Sequence, residues 1–248
     1  MQATKPLVQN FGSYIPEAER RRHVSVDSPG LRWVHNAVRE LIIAHDREFI
    51  EPREGFHSAL LLDHSETGSD VGGIVAKQLG FSNEEVFLVE EILFYHDFSK
   101  TRWHGHRYDG PLPETEIAGK DAHACMSQIM LSEIARLLPL NGDERHTIEK
   151  IGVGVHFHHT PEDLAKIAVR SRLIRELKMV TLVHFVDYYI ANREERGKSH
   201  PGRDHAASLK QTIRHSMNER FDYARSEVDA IVDALDSPEV ERRMCLEL

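Results

Sequence analysis

Residues 90–100 read Glu90-Glu91-Ile92-Leu93-Phe94-Tyr95-His96-Asp97-Phe98-Ser99-Lys100, an apolar helical run that ends in an adjacent histidine and aspartate. A helix that buries apolar side chains should not carry a carboxylate into a core unless a positively charged group or a metal ion neutralises its charge. A lysine follows the aspartate three residues later. We therefore take the His96-Asp97 pair as the point around which the rest of the chain is organised.

The composition is that of an ordinary soluble protein, with 40% hydrophobic and 29% charged residues in 248. A net charge of −9 argues against broad binding to nucleic acid or to an anionic membrane. No apolar run approaches the roughly 20 residues of a membrane span, and Met1 to Asn10 lacks a signal-peptide core. Cys125 and Cys245 form no disulfide framework. We expect a cytoplasmic protein without a membrane or an extended nucleic-acid partner.

Apolar spacing throughout the chain predicts helices and no strands, about eight to ten helices in all. Ser28-Pro29 begins the first helix, and Ser82 with Glu85 forms a capping box before the helix that carries His96. Residues 55–68 read as a loop, or a short helix with a loop, before a helix over about 69–80. Asp143 is expected to cap a later helix. Further helices are predicted over about 121–138, 179–193 and 204–235.

These helices predict an all-α bundle that we divide into three parts of one compact unit. Residues 1–52 form an N-terminal arm and a helix that packs on the core, 53–196 form the metal-binding domain, and 197–248 form a C-terminal helical extension. Apolar positions on the terminal helices would allow a homodimer, but they also suit packing against the core.

The 17 histidines are the unusual total, because imidazole is the commonest metal ligand in proteins. Adjacent residues on a helix point about 100° apart, so His96 can bind one ion while Asp97 lies between two. The stretch 183–189 is otherwise apolar and contains an aspartate whose charge needs a partner or a metal. The candidate co-ligands, in chain order, are His64, His123, His158, His159 and Asp187.

Two of these assignments have competitors in the sequence. His57 competes with His64, which is favoured by its interval of 32 residues before His96 and by the helix that follows it. In the stretch 155–160, two of the three residues His156, His158 and His159 are expected to coordinate. The alternative for the whole set is a buried His-Asp pair that is satisfied without a metal.

This ordered set of His, His-Asp, His, His-His and Asp resembles the HD superfamily of metal-dependent phosphohydrolases over about residues 64–193. The resemblance implies a helical HD-domain bundle in which an early His, the His-Asp pair and a late Asp hold a first metal. Members with extra histidines between them hold two metals. It favours His158 and His159 over His156. The implied ligands are His64, His96, Asp97, His123, His158, His159 and Asp187.

The resemblance also suggests residues that contact substrate. Lys100 corresponds to the lysine of the HDxGK pattern, with Ser99 in place of the glycine, and a lysine beside a phosphate acts as a point charge. Asn192-Arg193, like His159-Thr160, looks like the corresponding motif of the bacterial HD family of symmetrical dinucleoside tetraphosphate hydrolases. Arg193 is therefore a candidate for binding phosphate.

Thr101–Lys120 is the longest irregular segment, and Trp103–Asp109 within it is either a surface excursion or a lid that stacks a base and contacts phosphate. Its candidate substrate-binding residues are His104 and Arg107. The loop motif of the HD-GYP phosphodiesterases is absent after the His pair, which argues against cyclic-di-GMP cleavage.

The expected function is a metal-dependent phosphohydrolase that cleaves a phosphate ester or phosphoanhydride of a nucleotide, with Asp97 and Lys100 as catalytic residues. One or two divalent ions are expected, with iron or manganese favoured and cobalt, nickel or zinc also suited to these ligands. One alternative is a mixed-valent di-iron HD oxygenase that cleaves a C–C or C–P bond. A second alternative is a non-catalytic, nucleotide-binding HD domain.

Overall fold

A computed structural model describes residues 28–48, 60–102, 120–171, 174–199, 211, 213–214 and 225–245. Nine α-helices and one 3₁₀ turn lie within these residues, which contain no β-strand, so the predicted all-α class is confirmed. The helices are α1 Pro29–Glu48, α2 Leu61–Gln78, α3 Asn83–Tyr95, α4 Lys120–Leu137, α5 Gly142–Phe157, α6 Pro161–Ser171, α7 Ile174–Ser199, α8 Arg225–Leu235 and α9 Pro238–Cys245, and the 3₁₀ turn is Phe98–Arg102.

Helix α3, which carries the His-Asp pair at its end, is packed against α2, α5 and α7. Most of its apolar side chains are buried, and Phe87 is partly exposed. Gly72 on α2 and Gly154 on α5 allow the close approach of these two helices to α3. A Cβ on Gly72 would overlap Leu93 Cδ1, and one on Gly154 would overlap Ile92 Cδ1. Because neither glycine has a side chain, both neighbours can approach the helix that ends at the candidate site.

Two capping boxes fix helix starts that the sequence predicted to within two residues. Ser82 Oγ accepts from Glu85 N, and the Glu85 carboxylate accepts from Ser82 N, as predicted for α3. The same arrangement begins α5, but with Asn141 as the cap, so the prediction of Asp143 was wrong. The Asn141 side chain reaches the backbone N–H of Glu144, which satisfies one of the unpaired donors of the first turn.

Carboxylates from other helices cap α1 and α2. Glu144 of α5 accepts from the backbone N–H of Gly30 at 2.9 Å and from the Ser28 hydroxyl, as well as from Asn141 N. Burial opposes charge on Glu144, but these donors lower the pKa of its carboxyl. Asp46 accepts from the N–H of Leu61 at 3.2 Å and of Leu62 at 2.8 Å. Negative charge is stabilising at a helix N-terminus, so both contacts join neighbouring helices.

The cap by Asp46 explains why α2 begins earlier than expected. The sequence predicted a helix over about 69–80, whereas α2 begins at Leu61. No side chain on the preceding residue caps α2, and its two aspartate-bound N–H groups belong to its first turn. A cap supplied from a distant helix has no signature in the local sequence. The earlier start places His64 on α2 instead of on a loop.

The described terminal helices share one hydrophobic core with the central ones. That core includes Val34 and Val38 of α1 and Val232 and Val240 of α8 and α9. Ion pairs add to these contacts, since Arg243 of α9 lies 2.7 Å from Asp70 of α2. The division at residues 52 and 196 stays a prediction. Within the described chain, no helix has both the length and the hydropathy that a membrane crossing requires.

Candidate metal centre

Five separate elements bring the seven predicted ligands into one cluster. His64 lies on α2, the His96-Asp97 pair follows α3, and His123 lies in the first turns of α4. The other three are supplied by the turn after α5 and by α7: His158, His159 and Asp187. All of these side chains are buried apart from His159, which is half-buried. The helical fold therefore collects ligands that span more than 120 residues of sequence, from His64 to Asp187.

A first group of ligand atoms surrounds the Oδ2 oxygen of Asp97. His96 Nε2 lies 3.4 Å from this oxygen and His64 Nε2 lies 3.7 Å from it. The Oδ1 oxygen of Asp187 is 3.3 Å from His96 Nε2 and 3.5 Å from His64 Nε2. The two imidazole nitrogens are 3.3 Å apart. The ligand atoms of His64, His96 and Asp97 thus converge within 4.8 Å of one another, as a metal site requires, and Asp187 lies beside both imidazoles.

A second group lies on the other side of the same aspartate. Asp97 Oδ1 is 3.2 Å from His123 Nε2, and His123 Nε2 is 2.8 Å from His159 Nε2. His158 belongs to this group and also reaches the first, because its ligand atom lies within 4.8 Å of those of His96 and Asp187 as well as those of His123 and His159. Asp97 therefore faces one set of histidines with each of its two oxygens.

The spacing of these atoms fits the coordination sphere of a transition metal. A metal–nitrogen bond of about 2.0–2.1 Å places two neighbouring ligands of one ion about 2.8–3.0 Å apart in octahedral geometry and about 3.3–3.4 Å apart in tetrahedral geometry. The nitrogens of His64 and His96 are 3.3 Å apart and those of His123 and His159 are 2.8 Å apart. Nitrogen and carboxylate oxygen together suit iron, manganese, cobalt, nickel or zinc. The groups could hold a metal ion, and the geometry does not identify which metal.

Two of the histidines are oriented by the helix that ends just before them. His96 is the C-terminal cap of α3, and its Nδ1 donates to the carbonyl of Leu93 at 2.6 Å. His158 is the C-terminal cap of α5, and its Nδ1 donates to the carbonyl of Val155 at 2.7 Å. These carbonyls belong to the last turn, whose acceptors have no partner within the helix. With the proton on Nδ1, the Nε2 lone pair of each ring is free to face a metal.

His158 gives the clearest indication that the cluster could hold a metal ion, because the described residues provide no partner for one of its ring nitrogens. Its ring is fully buried, and its Nε2 has no hydrogen-bond partner among the described residues. A buried polar atom without a partner is costly and calls for an explanation. Because this nitrogen points among His96, His123 and His159, a metal ion at the cluster would satisfy it.

Burial and neighbouring charges set the protonation states of the imidazoles in the cluster. Burial lowers the pKa of His123 to about 3, and burial together with His158 lowers that of His159 to about 3, so both rings are neutral near pH 7. Burial also opposes charge on His96, but Asp97 and Asp187 raise its pKa to about 10. A neutral ring binds metal directly, whereas an ion that binds His96 must displace its proton.

The two aspartates stay ionised despite their burial. Burial alone would raise the pKa of Asp97, but Lys100 and His96 hold it well below its usual value. His96 and His64 lower the pKa of Asp187 in the same way. Two negative carboxylates in a buried site need compensating positive charge, which Lys100 and the protonated His96 supply. A divalent ion that displaces the His96 proton would replace that part of the positive charge.

Lys100 pairs with Asp97, and Arg193 has a different partner. The Lys100 ammonium contacts Asp97 Oδ2 from the 3₁₀ turn, where its side chain is largely buried. Arg193 lies further along α7 and forms a two-point ion pair with Glu241 of α9 at 2.7 and 3.0 Å. It also donates to Tyr189 Oη at 3.0 Å. Lys100 is therefore at the cluster, and a phosphate-binding role for Arg193 stays a prediction.

Several other candidates lie outside the described residues, namely His57, His104 and Arg107. The predicted lid, Trp103–Asp109, also lies outside the described residues. His156 is described and lies half-buried on α5, with its ring centroid 4.5 Å from that of Phe157. It is not a member of the three groups of converging ligand atoms found among the described residues, which include both His158 and His159.

Two residues that were not predicted as site residues contact the backbone of the ligands. Ser99 Oγ donates to the carbonyl of His123 at 2.8 Å, and His184 Nδ1 donates to the carbonyl of His158 at 2.7 Å. The sequence carried a partial signal for each. Ser99 departs from the glycine of the HDxGK pattern, and His184 precedes Asp187 by three residues, on the same helical face.

No family model matches this chain, and searches of curated proteins and of solved structures also gave no match.

Proposed function

We propose that the protein is a metal-dependent phosphohydrolase of the HD type, acting on a nucleotide or another phosphate ester. The position of Asp97 supports this proposal most strongly, because its two oxygens face two separate sets of histidines. A carboxylate in that position is what a bridging ligand of two ions requires. The order of the ligands in the sequence adds a second, independent line of support.

In this proposal, the first ion is held by His64, His96, Asp97 and Asp187. The second is held by Asp97 with three histidines, which are His123, His158 and His159. Bound ions would supply a Lewis acid for a phosphoryl oxygen and a water of lowered pKa as the nucleophile. Six of the seven proposed ligands are buried in the helical core, and His159 is half-buried.

In this proposal, Lys100 supplies the positive charge that binds the phosphate of the substrate. Its ammonium contacts Asp97 at the edge of the cluster and is mostly shielded from water. A lysine in such a place can stabilise the negative charge of a phosphate oxygen, and the effect is stronger where water is excluded. In the proposed reaction, Lys100 would bind the phosphate, and Asp97 would hold both ions or, in a site with one ion, would help to orient the attacking water.

The test is a comparison of metal content, phosphate release and oxygen uptake. The full chain is purified without oxygen or chelator, its metals are identified by mass spectrometry, and hydrolysis of nucleoside polyphosphates, dinucleoside tetraphosphate and p-nitrophenyl phosphate is measured. Asp97→Ala is compared with Asp163→Ala, which removes an exposed carboxylate of α6 that pairs with Lys166. We expect phosphate release in the wild type and in Asp163→Ala, and loss of metal and activity in Asp97→Ala.

Two results would contradict the proposal. One is a di-iron protein that consumes oxygen while it cleaves a C–C or C–P bond and releases no phosphate from these esters. The other is a wild-type protein that binds no metal even after reconstitution, which would favour a non-catalytic nucleotide-binding domain.

A further inference from the structure

Ser99, in the 3₁₀ turn that follows the His-Asp pair, forms two hydrogen bonds that join this turn to α4. Ser99 is fully buried, and its hydroxyl donates to the carbonyl of His123 at 2.8 Å. Its backbone N–H donates to Ser127 Oγ at 3.0 Å. His123 and Ser127 are four residues apart, so they lie on one face of α4, one above the other. The turn that follows Asp97 is thereby fixed against the helix that carries His123.

A second contact of the same kind fixes the turn after α5. His184 of α7 donates from Nδ1 to the backbone carbonyl of His158 at 2.7 Å. His184 lies one turn before Asp187 on α7. This helix therefore provides one proposed ligand, Asp187, and through His184 it also binds the backbone of another, His158. The Ser99 and His184 bonds both end on the main-chain oxygen of a histidine in the second group.

The second group is assembled from a helix start and a turn. His123 lies near the start of α4, and His158 and His159 lie in the short turn between α5 and α6. Helix ends and turns are held less firmly than the middle of a packed helix. The positions of these histidines therefore depend on individual hydrogen bonds to their backbone, such as those from Ser99 and His184.

We propose that Ser99 and His184 are positioning residues that set the affinity of the second group for its metal ion. This inference rests on the proposed function, because it assumes that the groups formed by His123, His158 and His159 and by His64, His96 and Asp187 each bind an ion. Ser99 acts through the carbonyl of His123, and His184 acts through the carbonyl of His158. A glycine at position 99, as in the HDxGK pattern, would lack the hydroxyl that makes the first of these bonds.

The test is a titration of the chelator-treated full chain with Mn²⁺ under anaerobic conditions. Calorimetry gives the affinity for each ion, and electron paramagnetic resonance distinguishes an isolated Mn²⁺ from an exchange-coupled pair. The variants are Ser99→Ala and His184→Ala. Loss of a group that orients a ligand typically lowers metal affinity about 10–100-fold. We expect that loss for the second ion only, with the coupled signal replaced by that of isolated Mn²⁺.

Two matched variants separate positioning from a general effect on the fold. Ser132→Ala removes another α4 hydroxyl that donates to a backbone carbonyl, that of Gln128 at 2.9 Å, away from the cluster. It should bind both ions as the wild type does. His184→Asn keeps an N–H donor at the branch position of Nδ1, so it should restore most of the affinity that His184→Ala loses.

The inference is overturned if Ser99→Ala and His184→Ala bind both ions with wild-type affinity, or if they weaken both ions equally. It is also overturned if the wild type binds a single Mn²⁺, which leaves a mononuclear hydrolase in place. If His184→Asn is as weak as His184→Ala, the donor role of His184 fails. A wild type that binds no Mn²⁺ overturns this inference and the proposed function together.

Discussion

His96 and His158 occupy the same position at the ends of two different helices, and each donates from Nδ1 to the carbonyl three residues before it. Their rings lie 5.1 Å apart at an angle of 82°, with both Nε2 atoms directed into the cluster. One side chain thus completes the last turn of a helix and offers a ligand atom. The consequence is that the cap and the ligand can be separated by mutation.

His158→Asn should remove the ligand and keep the cap. The asparagine amide can still donate to the carbonyl of Val155, but it has no atom at the position of Nε2. Nε2 of His158 has no hydrogen-bond partner among the described residues. The variant therefore loses no hydrogen bond at that atom, and it loses only the packing of the ring. Metal content measured by mass spectrometry should fall, while helix content measured by circular dichroism stays at the wild-type level.

The matched variant for this prediction is His158→Leu, which removes both the donor and the ligand. It should lose metal to the same extent and also unfold at a lower denaturant concentration than His158→Asn, because the carbonyl of Val155 loses its partner. If His158→Asn retains the full metal content, His158 is not a ligand.

Lys100→Gln should impair hydrolysis more than it impairs metal binding. The variant removes the charge at Asp97 that is proposed to bind the phosphate, while the seven proposed ligands remain. Loss of one group that stabilises transition-state charge costs about 10²–10³-fold in rate. We expect a fall of this order in kcat/KM for a phosphate ester, with metal content measured on the same sample.

A surface lysine provides the control for that measurement. Lys166→Gln removes an exposed charge that pairs with Asp163 on α6, and it should leave kcat/KM at the wild-type value. An unchanged kcat/KM in Lys100→Gln would rule out the proposed role of Lys100.

The seven candidate ligands could be proposed from the sequence because a metal restricts the residue types, and because their order along the chain resembles that of the HD superfamily. The contacts that position these side chains could not be predicted from the sequence. Ser99 and His184 bind main-chain carbonyls of residues 24 and 26 positions away, and no local pattern records such a pairing. The same reason explains the early start of α2, which depends on a carboxylate of α1.

The cap by Glu144 makes part of the stability dependent on pH. The donors at Ser28, Gly30 and Asn141 lower the pKa of this carboxyl in the folded protein below its ordinary value of 4.5. The folded state therefore favours the charged form. The stabilisation is fully present above pH 4.5 and is lost as the pH falls through the lower pKa of the folded state.

Glu144→Gln should accordingly destabilise the protein at pH 7 by about 1.5–3 kcal/mol, the usual range for hydrogen bonds to a charged group. The difference from the wild type should shrink as the pH falls below 4.5, measured by urea unfolding at each pH. Glu149→Gln, an exposed α5 residue near His146, should change little at pH 7. A constant difference between the wild type and Glu144→Gln at all pH values would show that charge is not the cause.

Gly154→Ala should destabilise the contact between α5 and α3. A new Cβ would overlap Cδ1 of Ile92 and lie 3.0 Å from its Cγ2, so the branched side chain must move within a packed core. Overpacking of this kind costs about 1–3 kcal/mol. Since Ile92 lies four residues before His96 on α3, the shift should also weaken metal binding, which is read by titration on the same variant.

Two further variants test the cause of that loss. Gly142→Ala places the same methyl group at the exposed start of α5, where a Cβ would have no neighbour within 4 Å, and it should be neutral or stabilising by about 0.4–1 kcal/mol. Adding Ile92→Val to Gly154→Ala removes the overlapping Cδ1 and should recover part of the lost unfolding free energy. If the double variant is less stable than Gly154→Ala alone by the full cost of Ile92→Val, the two sites are independent and close packing at Gly154 does not set the position of α3.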